Sequence, residues 1–322
     1  MLKTKITEML GIERPILVGG LQWLCTPEFV AAIAEAGGAA FLMAGAYADT
    51  RSFAADIRKC KALTKKPFGV NISMLPEIPA ELTMENVEAV IAEGLPFVET
   101  SGRDPAPLVD KLKPAGVKVL HKVTAPQHAK SAERAGVDAV IIVGYESAGH
   151  PGMNQVGTFV NLPAAAEEVS VPVIAAGGIC DGKSMAAALS LGAEGVMIGT
   201  RAVATEECPV HQNFKDWIVN AGITDTIIIQ RSLRNAARAI KNDVALTILG
   251  LEQTDIKMKD VMPYTDMIRS RDAMMSGDMN NAMLTAGQCV GRIHAVQPVG
   301  EVLREMTEEA ETCIKALSSK II

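Results

Sequence analysis

Short apolar runs alternate with longer, alanine-rich amphipathic segments along the first 200 residues of the chain. Within a run such as 173–176 the apolar residues are consecutive, which is the pattern of a strand buried on both faces. The segments between the runs begin at polar or proline positions and end near Ala-Gly, as helices do. The pattern therefore predicts a repeated βα unit. The eight predicted strands are residues 15–18, 39–43, 68–72, 97–100, 118–122, 139–143, 173–176 and 195–198.

The first long helix of this repeat has clear start and stop signals. Thr26 is a predicted N-cap, Pro27 stands at the first helical position, and Gly37 follows the last turn. Similar Ala-Gly endings occur at 115–116 and 135–136. Because βα units with short connections make parallel sheets, and eight units can close a sheet, we expect a (β/α)8 TIM barrel. No G-x-G-x-x-G motif follows the first strand, which disfavours a Rossmann sheet.

The βα rhythm stops after residue 200. Residues from about 208 to 286 are predicted to be helical without clear strands, and residues 300–318 resume an amphipathic helix. We therefore expect a barrel of residues 1–207 plus 286–322, with residues 208–285 as a helical insertion that caps the active-site mouth. Seven methionines lie between Met258 and Met283. They are either ordinary core or a flexible apolar surface of a pocket.

The segment 171–200 predicts a phosphate site. It reads as strand, glycine turn, helix and strand, with Gly177 and Gly178 after one strand and Gly199 and Thr200 after the next. Glycines let the backbone approach a ligand, and the N–H groups of both turns would converge on one anion near the N-termini of helices. Many (β/α)8 barrels bind phosphate after strands 7 and 8. The alternative is a pair of ordinary strand-to-helix turns.

Composition narrows the function classes. The 322 residues are 48% hydrophobic and 21% charged, which is enough for a large core. A net charge of −6 disfavours a nucleic-acid binder, since such proteins need a dense basic surface. We expect no metal site, no signal peptide, no membrane span and a reducing cytoplasm, because the cysteines are scattered and the N-terminus is polar. The cysteines are Cys25, Cys60, Cys180, Cys208, Cys289 and Cys313.

Several motifs together carry a family resemblance over nearly the whole chain. They are PILVGGLQW (15–23), KPFGVNISML (66–75), HKVTAPQHA (121–129), YESAGHPG (145–152), the segment through GTR (199–201) and AGQCVG (286–291). With them the sequence resembles the FMN-dependent nitronate monooxygenase family, formerly called 2-nitropropane dioxygenases. The resemblance is closest to its NADH:quinone reductase branch, through GGLQW, AGHPG and RSLRNAARAIKN (231–242). Enoyl-acyl-carrier-protein reductases, which share the AGGI and GTR turns, are the third alternative.

The resemblance implies a set of FMN-binding residues at the barrel mouth. Lys122 would lie near N1 and O2 of the flavin and stabilise its anionic reduced form. Lys122 would be costly in its strand unless it were paired or faced the pocket. Ala176 stands where relatives often have Ser, so that contact would fall to backbone N–H groups. The implied set is Gly20, Leu21 and Gln22 against the ring, Asn71 and Ser73 at its pyrimidine edge (or as turn-stabilising residues), Lys122, and Ala148, Ala176, Gly177, Gly178, Gly199 and Thr200 along the phosphate path.

His150 is the candidate for proton transfer. It lies in the glycine-bracketed loop 149–152, which follows the sixth predicted strand on the active-site face. It would hydrogen-bond the substrate and, with a pKa near neutrality, move a proton to or from it. The alternative is a structural histidine. His121 should point away from Lys122, His128 lies on a predicted helix, and His211 and His294 are read as structural or surface residues.

A basic stripe is predicted inside the insertion. Arg231, Arg234, Arg238 and Lys241 are spaced by three, four and three residues, which would give one basic helix face. The face is either solvated or binds the pyrophosphate of NADH or NADPH across the barrel mouth.

Two reactions fit the same flavin cradle. In the first, an FMN-dependent oxidoreductase oxidises an alkyl nitronate with O2 to a carbonyl compound and nitrite. In the second, NADH or NADPH delivers hydride to the flavin, which reduces a quinone. A flavin- or phosphate-binding protein without turnover is the alternative of another class, which the polar set at the barrel mouth disfavours. We expect the nitronate reaction, with quinone reduction as the second choice, and a possible homodimer.

Overall fold

The first eight strands form a closed parallel barrel. A computed structural model describes residues 2–75 and 78–320. Strand β1 pairs with both β2 and β8, through Leu17 opposite Ala39 and Leu17 opposite Met197. The (β/α)8 prediction is confirmed, and each predicted strand is found with ends within one residue. The strands are β1 Ile16–Val18, β2 Ala39–Met43, β3 Gly69–Ser73, β4 Phe97–Ser101, β5 Lys118–Val123, β6 Ala139–Val143, β7 Val173–Ala176 and β8 Gly195–Ile198.

Helices cover the outside of the barrel. Thr26 accepts a hydrogen bond from the N–H of Phe29 and caps α2, as its position before Pro27 predicts. Gly37, Gly116 and Gly136 each have a positive φ after a helix. The helices are α1 Lys5–Leu10, α2 Pro27–Glu35, α3 Thr50–Leu63, α4 Ala80–Ala92, α5 Ala106–Leu112, α6 Pro126–Arg134, α7 Thr158–Glu168, α8 Gly182–Ser190, α9 Thr200–Val203, α10 Gln212–Asn220, α11 Asp243–Leu251, α12 Met258–Thr265, α13 Met267–Ser276 and α14 Val299–Ser318.

The barrel interior is closed at one end by the N-terminal helix. Ile6 and Leu10 of α1 are buried in one cluster with inward-facing strand residues such as Phe97 and Leu120. Ile6 also lies against Gly195, at the start of β8. In the part of the chain that the structure describes, α1 fills the end of the barrel at which the strands begin. A ligand can therefore enter only at the other end, where the strands finish.

The prediction that the inserted segment lacks strands is wrong. Residues Thr226–Ile229 form β9 and Ala237–Ile240 form β10, an antiparallel pair in which Arg238 lies opposite Ile228. This small sheet has its own apolar cluster with α11, including Ile229, Ala239 and Ile248. Helices α10 to α13 account for the helical part of the segment.

The predicted basic helix face is also wrong. Arg231 and Arg234 lie in the turn before β10, Arg238 lies within β10, and Lys241 follows it, so they share no helix. Alanine and arginine favour helices, but this intrinsic preference is weak and pairing with the β-branched run of β9 overrides it. The turn needs left-handed backbone at Gln230 (φ 59°) and Arg234 (φ 55°).

The C-terminal helix is found where the amphipathic pattern predicts it. Helix α14 packs on α8, and Glu309 accepts a hydrogen bond from the N–H of Gly182 at 2.8 Å. Asp181 caps α8, since its side chain accepts a hydrogen bond from the N–H of Ser184 at 2.8 Å. Across the described residues, no helix combines the length and apolarity that a membrane crossing requires.

His121 predicts acid sensitivity of the fold. Its ring is buried and shares a hydrogen bond of 2.8 Å with Thr100 Oγ1, and burial lowers the pKa of His121 to about 4. Below pH 6.5 the unfolded chain therefore binds a proton that the folded chain does not, so stability falls as pH falls. Relative to neutral pH, this loss should reach about 2 kcal/mol at pH 5.

Urea denaturation of wild type and His121→Gln between pH 7 and pH 5 measures this effect. The variant should lose less stability on acidification than wild type, whatever its stability at pH 7. His128→Gln is the matched control, because His128 is exposed on α6. Equal slopes for wild type and His121→Gln would contradict the assignment.

Candidate active site

A cavity of about 1350 Å³ opens at the carboxyl ends of the barrel strands. Its walls are the segments that follow β1, β4, β5, β6, β7 and β8, together with residues of α13 and the loop before α14. Ligand pockets usually measure about 300–1000 Å³, so this cavity has room for a cofactor and a second ligand. His121 and His128 also line the cavity, together with residues of α6.

The glycine turn after β7 is built for close approach of a ligand. Gly177 and Gly178 have φ values of 95° and 76°, and residues that carry a side chain rarely adopt such values. A Cβ on Gly177 would lie 2.9 Å from the carbonyl oxygen of Gly144, so no side chain fits there. Within the described chain, the N–H groups of Gly178, Ile179 and Gly199 have no hydrogen-bond partner. Unpaired N–H groups on two adjacent turns fit an anionic ligand.

Ser147 lies beside this turn, in the loop that follows β6, and the sequence analysis does not single it out. Its hydroxyl is buried and has no hydrogen-bond partner among residues 2–75 and 78–320, and its Cβ lies 3.3 Å from the Cβ position of Gly177. Buried hydroxyls normally have a partner, so this one fits a ligand acceptor. Ser147 can therefore supply the hydroxyl contact that Ala176, also in the cavity wall, lacks.

Thr200 serves the fold of the site through its side chain. Its Oγ1 accepts a hydrogen bond from the N–H of Gly287 at 2.9 Å, which holds the 286–291 loop against the turn after β8. Nearby, the carboxylate of Glu146 accepts from the N–H and hydroxyl of Thr158 and so caps α7. The Glu146 carboxylate, which lies beside the glycine turn after β7, is therefore already hydrogen-bonded to Thr158.

Lys122 is both paired and exposed to the cavity. Its ammonium forms an ion pair with Glu99, whose side chain on β4 is fully buried, whereas Lys122 keeps 26% exposure. The other carboxylate oxygen of Glu99 accepts from the N–H of Gly20 at 3.0 Å. Sequence reasoning missed Glu99, although a carboxylate inside an apolar strand carries the same signal that singled out Lys122.

Gly20, Asn71 and Ser73 form one packed layer. A Cβ on Gly20 would lie 2.7 Å from the Asn71 Cβ, so Asn71 supports the turn after β1 from behind. Ser73 Oγ donates to Asn71 Oδ1 at 2.9 Å. Ser73 lines the cavity, whereas Asn71 is 2% exposed and does not.

Leu21, Gln22 and Trp23 continue the cavity wall toward the insertion. The Gln22 amide lies 3.6 Å from the sulfur of Met267 on α13. Trp23 has a left-handed backbone (φ 66°), and Arg271 of α13 lies over its ring at 5.5 Å. A bulky residue with positive φ is strained and is held by its surroundings. Met267 is one of three cavity-lining members of the methionine cluster, with Met274 and Met283.

The loop that carries His150 is held by the small sheet of the insertion. Gly149 and Arg238 exchange backbone hydrogen bonds, and the Arg238 guanidinium donates to the carbonyl of Tyr145 at 2.9 Å. Arg238 also lies over the Tyr145 ring at 5.1 Å, and burial lowers its pKa. Arg238 thus holds the loop against β10 through both its backbone and its side chain. His150 is exposed and lines the cavity, as does Ala148.

The other basic residues of the predicted stripe have different positions. Arg234 is exposed and lines the cavity, whereas Arg231 and Lys241 are exposed outside its lining. His211 caps α10 by accepting from the N–H of Asn213. His294 lies on the surface.

Several known proteins with similar sequences are named as monooxygenases or dehydrogenases. The model of the nitronate monooxygenase family matches residues 3–309. A probable nitronate monooxygenase of Staphylococcus aureus is 31% identical over 280 residues, which cover 74% of this chain and 79% of that protein. A 5-hydroxy-7a-methyl-1-oxo-octahydro-1H-indene-4-carboxyl-CoA dehydrogenase of Rhodococcus jostii is 36% identical over 243 residues, covering 76% of this chain and 67% of that enzyme. The matches span about two thirds of the length of such CoA dehydrogenases.

Among solved structures, FabK from Thermotoga maritima has a very similar fold. Its TM-score is 0.91 and its sequence is 36% identical, with 100% of both chains covered. The likeness therefore includes the barrel and the inserted segment together.

A side chain at Gly177 should destabilise the fold both by backbone strain and by steric overlap, and the two effects can be measured separately. Gly177→Ala should lower the free energy of unfolding by about 3 kcal/mol, through left-handed strain plus overlap with Gly144. Gly116→Ala is the matched control, because Gly116 has a similar φ of 80° but open space around its Cβ position. Its expected loss is about 1 kcal/mol.

Equilibrium urea denaturation of both variants measures the difference. Equal losses for Gly177→Ala and Gly116→Ala would mean that the turn can move away from Gly144, contrary to the close approach described above.

Proposed function

The chain belongs to the nitronate monooxygenase family and is an oxidoreductase, and from this premise we propose that it binds FMN and oxidises alkyl nitronates with O2 to a carbonyl compound and nitrite. The observation that carries the proposal is the set of unpaired N–H groups on two neighbouring glycine turns, beside the unpaired Ser147 hydroxyl. In two ordinary strand-to-helix turns these N–H groups would be paired. Because they are unpaired, a site for the phosphate of flavin mononucleotide explains them better.

The remaining flavin contacts follow from the wall of the same cavity. FMN, when bound, accepts electrons from the substrate and passes them to O2. Lys122 supplies a positive charge at the pyrimidine edge, and the turn after β1 supports the ring. The proposed cofactor residues are Gly20, Leu21, Gln22, Asn71, Ser73, Lys122, Ser147, Ala148, Ala176, Gly177, Gly178, Gly199 and Thr200, with Asn71 acting through Gly20 and Ser73.

His150 is the proposed proton-transfer residue. Its loop is anchored at Gly149 by β10, so the imidazole starts from a restrained backbone on the cavity wall. In this position it can donate a hydrogen bond to a substrate oxygen or take a proton from the substrate carbon. Because Arg238 already holds this loop, less conformational entropy of the loop is lost when His150 meets the substrate.

Quinone reduction by NADH or NADPH is the second candidate. The cavity exceeds the volume needed for a small nitronate beside a flavin, and Arg234 projects a guanidinium at its wall. Reduction of an enoyl-acyl-carrier-protein thioester is the third, because the chain carries the AGGI and GTR turns that it shares with those reductases. All three reactions would use the same residues around the flavin.

Anaerobic bleaching of the purified protein separates these candidates. We expect the visible spectrum of a bound oxidised flavin, and bleaching by propane-2-nitronate without NADH or NADPH. Bleaching by a nicotinamide alone would contradict the nitronate assignment, and reoxidation by a quinone or by crotonyl-CoA would then identify the electron acceptor. A colourless protein that takes up no added FMN would contradict all three.

Arg234 tests the nicotinamide alternative. If its guanidinium binds the pyrophosphate of NADH, Arg234→Ala should raise KM for NADH by about ten- to a hundredfold, since a hydrogen bond to a charged group contributes about 1.5–3 kcal/mol. The kcat at saturation should be unchanged. Arg231→Ala is the matched control, because Arg231 lies in the same turn outside the cavity lining. An unchanged KM in the Arg234 variant would remove this residue from nucleotide binding.

A further inference from the structure

We propose that Glu99 is a positioning residue that sets the reduction potential of the flavin through its ion pair with Lys122. The proposal rests on the FMN site argued above. It assigns a function to a carboxylate that is fully buried inside the barrel.

The strand register brings the two charges together inside the barrel. Glu99 on β4 lies opposite Leu120 on β5, and Lys122 is two residues further along the same strand. Residues two apart in a strand share a face, so Lys122 and Glu99 both point inward. The ammonium lies under the turn after β1, since a Cβ on Gly19 would be 3.5 Å from Lys122 Nζ.

The carboxylate fixes two elements of the proposed flavin platform at once. One oxygen contacts Lys122, and the other accepts from the N–H of Gly20. Beneath the pair the barrel contains the apolar side chains of Leu120 and Met197. Electrostatic interactions are weakly screened in such surroundings. A change of charge at Glu99 should therefore change the electrostatic potential at a ligand that contacts Lys122.

The sign of the effect follows from the charges. Two-electron, one-proton reduction leaves a flavin with one negative charge, which Lys122 would stabilise. Glu99 compensates the Lys122 charge, so the intact pair favours the reduced flavin less than an unpaired ammonium would. Glu99 thus holds Lys122 in position and limits the reduction potential.

The test is Glu99→Gln in the FMN-loaded protein, with the flavin midpoint potential determined by anaerobic reductive titration against a reference dye. The amide oxygen can still accept from Gly20, but the negative charge is gone. We expect the affinity ratio of reduced to oxidised FMN to rise about tenfold, which is a shift of about +30 mV for a two-electron couple.

Two matched variants separate charge from structure. Glu99→Asp keeps the charge and should shift the affinity ratio less than threefold. Thr100→Ser changes the next residue of β4, which is equally buried but faces the opposite side and bonds His121, and should leave the potential unchanged. A shift in either variant as large as that of Glu99→Gln would overturn the proposal, as would an unchanged or lowered potential in Glu99→Gln itself.

A measurement on wild type keeps the proposal testable if Glu99→Gln does not fold. The reduced-minus-oxidised infrared difference spectrum should contain a shifted carboxylate band, because the flavin charge changes next to the ion pair. A spectrum without a carboxylate change would overturn the proposal while leaving the flavin site intact. Failure of wild type to take up FMN at all would instead refute the proposed function, and the inference about Glu99 with it.

Discussion

Closure of the barrel is the constraint on which the rest of the structure depends. Because β1 pairs with β8 as well as β2, every strand has two neighbours and the loops after all eight strands meet on one rim. Helix α1 fills the opposite end, so ligand-binding groups accumulate on a single face. Closure also brings Glu99 of β4 within hydrogen-bond distance of the N–H of Gly20, which follows β1.

The strands of the barrel were predictable because burial on both faces leaves a strong signal, a run of consecutive apolar residues. The sheet of the insertion was not, because Ala237 and Arg238 favour helices and the alternation in β10 is only four residues long. The run of isoleucines in β9 was the available signal. In this segment the pairing of β10 with β9 outweighs the helix propensity of its own residues.

The site could be predicted where a single residue violates its local pattern. Lys122 in an apolar strand and His150 between glycines are such residues, and both line the cavity. Glu99 violates its strand in the same way, but its partner depends on strand register, which the sequence alone does not give. Ser147 carries no local signal, since the absence of a partner for its hydroxyl exists only in the folded chain.

The insertion joins two tasks that are usually carried by separate segments. Strand β10 holds the His150 loop through Gly149 and Tyr145, while α13 supplies the apolar wall of the cavity through Met267 and Met274. Substitutions in the methionine wall can change which substrate fits without moving the histidine, because the two contacts come from different elements of the insertion. The proposed flavin platform on the barrel can thus stay constant while the substrate changes. Relatives with similar sequences are accordingly named for nitronate and for carboxyl-CoA substrates.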